Sequence, residues 1–88
     1  MHAIRRWDTG AMILEVPGDA LARAPLAREV LLYADLRAAD LRGADLRGVD
    51  LCQADLRGAT FAGATLIAAD ITLADLEATD LSGSSLGE

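Results

Sequence analysis

Apolar and polar positions along this chain follow a period of five from residue 34 to residue 88. The block reads ADLRA, ADLRG, ADLRG, VDLCQ, ADLRG, ATFAG, ATLIA, ADITL, ADLEA, TDLSG and SSLGE, with no insertion. Its central residues are Leu36, Leu41, Leu46, Leu51, Leu56, Phe61, Leu66, Ile71, Leu76, Leu81 and Leu86. On an α-helix, positions five apart advance by about 140° net, so these side chains would wind around the helix and form no stripe. On a continuous strand, an odd spacing sends alternate residues to opposite faces. The chain must therefore turn once per repeat, and each short run then presents its central residue to one shared interior.

Two residues before each centre stands a small side chain, Ala34, Ala39, Ala44, Val49, Ala54, Ala59, Ala64, Ala69 or Ala74, and then Thr79 and Ser84. Alternation places this residue in the same interior. Between the two lies an outward residue, usually Asp. The fifth residue is often glycine (Gly43, Gly48, Gly58, Gly63, Gly83), which supplies the positive φ that a tight turn calls for.

The first 33 residues do not repeat in this way. Ala3–Trp7 and Ala11–Val16 are β-prone runs joined by Asp8-Thr9-Gly10, a hairpin signal. Pro17 and Gly18 end the second run, and Asp19 is placed to cap a helix. Pro25 interrupts that helix or starts another, and Leu26, Val30 and Tyr33 share one helical face. The expectation is a kinked helix, or two short ones, from Asp19 to about Leu32. Hairpin and helix together cap the first coil, with Ile4, Trp7, Met12 and Leu14 as cap core. The chain is thus read as a cap over 1–33 and a repeat body over 34–88.

The repeats resemble the pentapeptide repeat family, whose consensus is A-(D/N)-L-x-x, over 55 of the 88 residues. This resemblance implies a right-handed quadrilateral β-helix with four repeats per coil. Residues 20 apart would then stack, and 55 residues make about 2.75 coils. The hairpin-and-helix lead-in looks like that of some bacterial members. Some members, including quinolone-resistance proteins, mimic duplex DNA and occupy topoisomerases such as gyrase. The resemblance makes that the alternative function for this chain.

Charge narrows the choice of partner. The formal net charge is −6, and all eight basic residues are Arg. Residues 1–33 balance to zero, so the repeats carry the whole excess, and residues 74–88 carry −4 of it. Direct nucleic-acid binding is not expected of such a chain. No apolar run suits a signal peptide or a membrane span, so the expected location is the cytoplasm.

Candidate chemistry is sparse. His2 stands alone, and Cys52 is an outward thiol with no base beside it in its repeat. The stacked aspartates could attract a divalent cation, but no calcium-binding nonapeptide signature is present. Neither a cofactor nor a metal site is read, and no catalytic set converges. The expected function is a non-catalytic structural or protein-interaction module. Ile67 and Leu73 are apolar at outward positions, as isolated exposed residues commonly are, and a contact patch together with Phe61 is the alternative reading. With only Gly87 and Glu88 after Leu86, the C-terminal end is expected to pair two copies about a two-fold axis.

Overall fold

In a computed structural model, residues 2–18 and 21–85 are described. Strands β1 (His2–Arg5) and β2 (Met12–Val16) form the expected antiparallel hairpin, with Ile4 opposite Leu14 and a register shift after Ile4. From Leu21 onward the chain coils. Parallel bridges join residues twenty apart, as in Asp35 to Asp55, Asp55 to Asp75 and Asp40 to Thr60.

One bonding pattern repeats between levels of the coil. The amides of Leu36 and Ala38 donate upward to the carbonyls of Asp55 and Arg57, both at 2.9 Å. The amide of Asp55 donates downward to the carbonyl of Ala34 at 2.9 Å. Each corner is closed by a bond within the repeat, such as Ala39 N–H to Leu36 O at 3.1 Å. Among the described residues, the residue two after every centre has positive φ, whether it is Gly43 (66°), Ala38 (57°), Gln53 (60°) or Leu73 (61°). Glycine is thus favoured at the fifth position, yet the stacked coil holds other residues there too.

The helix expected from Asp19 to about Leu32 does not form. Among the described residues there is no helix, and so none long and apolar enough to cross a membrane; Asp19, the expected cap, lies outside them. Leu21, Leu26 and Leu31 are instead fully buried centres of three further repeats. Spacing five governs this stretch, and Leu26 and Val30 do not share a face: Val30 is 61% exposed at an outward position. Pro25 is compatible with the coil because it lies in the first level. Its counterpart Asp45 uses its amide to bond Ala24 one level below, whereas residue 25 has no such level beneath it. Pro25 bridges upward to Asp45 instead.

The hairpin covers the lower end of this stack. Ile4 and Val16 are buried in one cluster with Leu21, Leu26 and Leu31. Arg6 bridges Ala34, and Asp35 N–H donates to Arg5 O at 2.7 Å, which ties the hairpin to the coil. Trp7 and Met12, expected in the cap core, are about half exposed, and Leu14 is half-buried. Trp7 falls in the turn after β1, so it leaves the hairpin face that Ile4 occupies.

Burial of the central ladder changes along the axis. Leu36, Leu41, Leu46, Leu51, Leu56, Phe61 and Leu66 are buried beneath further repeats. Ile71 and Leu81 are half-buried and Leu76 is 36% exposed, because the top level has no described coil above it. Leu86 lies outside the described residues. An apolar recess of about 340 Å³ opens at this end between Phe61, Leu66, Ile71, Leu76 and Leu81. The small interior hydroxyls bond to backbone: Thr79 Oγ1 donates to Leu56 O and Ser84 Oγ to Leu81 O, both at 2.6 Å.

Candidate functional site

The outward aspartates act first on their own corners. Asp40 Oδ1 accepts the amide of Arg42 at 3.1 Å, and Asp50, Asp70, Asp75 and Asp80 accept the amide two residues on at 2.9–3.1 Å. Thr60 Oγ1 substitutes for a carboxylate at one corner, accepting the amide of Ala62 at 3.3 Å. A short acceptor here mimics a backbone turn, which accounts for Asp or Thr between the two interior residues of a repeat.

Where the residue after the centre is Arg, it returns to clasp the same carboxylate. Arg42 Nε and Nη2 reach both oxygens of Asp40 at 2.8 and 2.7 Å, and Arg37, Arg47 and Arg57 treat Asp35, Asp45 and Asp55 alike. The guanidinium of Arg42 holds the Asp40 carboxyl down at about 2, and the Asp35, Asp45 and Asp55 carboxyls lie below their ordinary value for the same reason. Asp70 and Asp80 are lowered too, by the hydroxyls of Thr72 and Ser82.

One side of the stack links these clasps between levels. Arg37 Nε lies 3.8 Å from Asp55 of the next level, and Arg57 Nε lies 3.7 Å from Asp75. Asp35, Arg37, Asp55, Arg57 and Asp75 thus form a zipper of alternating sign. It stops at the third level, where Glu77 occupies the place held by Arg37 and Arg57 below.

A second side carries Asp50, Cys52 and Asp70, whose possible ligand atoms all lie within 4.8 Å of one another. Sequence reasoning left Cys52 without a neighbouring base because Asp70 is eighteen residues away along the chain; stacking brings it close. The two carboxylates, Asp50 first, push the thiol up to about 12. A thiol raised this far stays protonated at neutral pH, which disfavours it as a nucleophile.

The hairpin turn supplies an aromatic corner. Trp7 N–H donates to Tyr33 O at 2.9 Å and its indole Nε1 donates to Gln53 O at 2.6 Å. The Trp7 and Tyr33 rings are 6.0 Å apart and tilted by 54°. Arg6 lies 4.6 Å over the Tyr33 ring while Asp8 grips its guanidinium at 2.6–2.8 Å. Leu73, 77% exposed, shares with Trp7 a groove of about 320 Å³ that also takes in Asp55, Arg57 and Asp75. Of the two outward apolar residues, Leu73 belongs to this groove, whereas Ile67 stacks on the separate Arg47 column and is 37% exposed.

A family model of pentapeptide repeats matches residues 34–72 and 44–83, with eight copies. Among solved structures, the chain is similar to the pentapeptide repeat protein Rfr23 from the cyanobacterium Cyanothece 51142. Identity there is 39% and the TM-score 0.65, over 67% of this chain and 40% of that one. It is also similar to alr5209, a pentapeptide repeat protein from Nostoc PCC 7120. Identity is 31% and the TM-score 0.52, over 74% of this chain and 65% of that one. The chain thus spans less than two thirds of the length of either. No curated protein matches it. Pentapeptide repeat proteins form right-handed β-helices, and the strand-only coil described above agrees with that architecture.

Proposed function

We propose that this chain, which belongs to the pentapeptide repeat family, works as a non-catalytic interaction module whose side columns meet a protein partner. Members of the family are generally structural or interaction modules. We read each level as four-sided, since bridges pair residues twenty apart and turns recur every five. The observation that carries the proposal is the aromatic corner. Trp7 and Leu73, far apart in sequence, stand exposed on one rigid groove, with Trp7 pinned by two hydrogen bonds. A rigid, exposed aromatic is characteristic of interface centres.

Photo-crosslinking from position 73 in extracts of the encoding organism tests this reading. A defined protein adduct, lost in a Trp7→Ala variant that still folds, is expected. Adducts spread without preference, or unchanged in that variant, contradict it.

The DNA-mimic alternative gains little from the surface. Among the described residues, Asp35, Asp40, Asp45 and Asp55 of the lower levels are each clasped by an Arg, which breaks up the anionic surface there. Pairing of two copies through the C-terminal end is supported by the exposed Leu76 and the open apolar recess, and opposed by the acidic charge gathered there. Sedimentation at micromolar concentration distinguishes one chain from two.

A further inference from the structure

The zipper on the Asp35 side is complete for two levels and then lacks its cation. Asp55 has two guanidinium neighbours, its own Arg57 at 2.7 Å and Arg37 of the level below at 3.8 Å. Among the described residues Asp75 has only Arg57, at 3.7 Å, and that group is already engaged by Asp55. Glu77 stands where the next Arg would be, with its amide bonded to Asp75 Oδ1 at 3.1 Å. The side chain of Asp75 is 55% exposed, against 14% for Asp55. Asp75 itself lines the groove that Trp7, Arg57 and Leu73 share.

Deepening the interaction reading, and resting on it, we infer that this groove receives an arginine-bearing segment of a partner protein. The partner's guanidinium takes the place of the missing third Arg, between Asp75 and Glu77, and an adjoining apolar residue covers Leu73. The chain holds an internal template for this geometry. Arg6 lies over the Tyr33 ring, 4.6 Å from its centroid, while Asp8 clasps it. Trp7 with Asp75, both lining the groove, offers the same combination of ring and carboxylate to a guanidinium from outside, and Glu77 adds charge in the column beside Asp75. Arginine suits the site better than lysine, because its planar fork pairs with carboxylates on two edges while its face stacks on a ring. Trp7 is positioned in advance by its two hydrogen bonds, so little ordering is needed on binding.

Trp7 is the sole tryptophan, and its emission reports on the groove directly. The full chain is titrated with the peptide acetyl-Gly-Arg-Leu-Arg-Gly-amide, and with the same peptide carrying Glu for Arg. A saturable change with the Arg peptide alone, weakened by salt, is expected. Glu77→Arg, which supplies the missing cation from within, should weaken binding by roughly tenfold or more while the protein melts no lower. Glu15→Arg, the same charge change on an exposed residue of β2, should bind as the parent does. The inference is overturned if the parent gives no saturable response, if Glu77→Arg binds as tightly as the parent, or if Glu15→Arg weakens binding equally. A crosslinked partner from position 73 together with a silent Arg peptide would overturn this partner chemistry and leave the interaction module standing.

Discussion

The amide of Leu26 donates to the carbonyl of Asp45 at 2.9 Å, across one full level of the coil. This bond makes residues 21–33 part of the solenoid floor, although they lack the A-D-L consensus. Leu26 is 2% exposed and Leu46, one level up the same side, is fully buried. Leu26→Ala should therefore cost about 2–5 kcal/mol in urea unfolding, close to Leu46→Ala, whereas Val30→Ala should cost under about 0.5 kcal/mol. A Leu26→Ala variant as stable as the parent would remove residue 26 from the core.

Ala38 adopts the left-handed conformation at φ 57°, where Gly43 and Gly48 stand in the following repeats. A left-handed L-residue costs roughly 1–2 kcal/mol, partly offset by the freedom glycine adds to the unfolded chain. Ala38→Gly should be neutral to about 1 kcal/mol stabilising, raising the melting temperature by up to about 8 °C. A drop of several degrees would speak against positive φ at that corner.

Acid should loosen the stack. Asp40 is held at about 2 by Arg42, and Asp35, Asp45, Asp55, Asp70 and Asp80 are lowered in the same direction. An unfolded aspartate titrates near 3.9. A group depressed on folding adds stability that is fully present above the unfolded value and lost as pH falls through the folded one. Melting temperature at constant ionic strength should thus hold above about pH 5 and fall toward pH 2, less steeply in Arg42→Gln. A melting temperature that rises on acidification would mean that repulsion between stacked carboxylates dominates.

Cys52 should be a sluggish thiol. With the thiol pushed up to about 12 by Asp50 and Asp70, the thiolate is scarce at pH 8. Partial compensation by its higher nucleophilicity leaves reaction with an aromatic disulfide reagent roughly 50-fold slower than that of a free cysteine. Replacing Asp50 and Asp70 together by Asn should restore most of the rate. Reaction of the parent at the free-cysteine rate would contradict the stacked carboxylates.

The legibility of the fold varies along the chain for identifiable reasons. Residues 34–85 are readable because spacing five excludes both regular elements, and the structure places the centres from Leu36 through Leu66 in one buried core. Leu21, Leu26 and Leu31 keep the same spacing. Their neighbours Pro25, Glu29 and Val30 broke the A-D pattern, and Leu26 with Val30 and Tyr33 matched a helical period by chance. Pro25 looked like a helix breaker; it is an edge residue of the lowest level, where a missing amide costs nothing. Trp7 belongs to the apolar run of the capping hairpin and is expected in its core, but it falls in the turn and its indole N–H donates to Gln53 O on the corner. The groove could not be read directly, since it joins residues 7, 55 and 73, which only the twenty-residue register brings together. The same register, applied to the repeats, does put Asp35, Asp55 and Asp75 in one column with Arg37, Arg57 and Glu77 beside it, so the charge gap at the third level is legible in the sequence.

Amide hydrogen exchange resolved by NMR tests most directly whether the solenoid begins at Leu21 and not at residue 34. In the coil, the amides of Leu26, Arg28 and Leu31 donate to Asp45, Arg47 and Asp50 of the next level at 2.7–2.9 Å. They should exchange as slowly as those of Leu46 and Leu51, and nuclear Overhauser contacts should connect residue 25 with 45 and residue 30 with 50. Rapid exchange at residues 26–31, with the short-range contacts of a helix from 19 to 32, would contradict it.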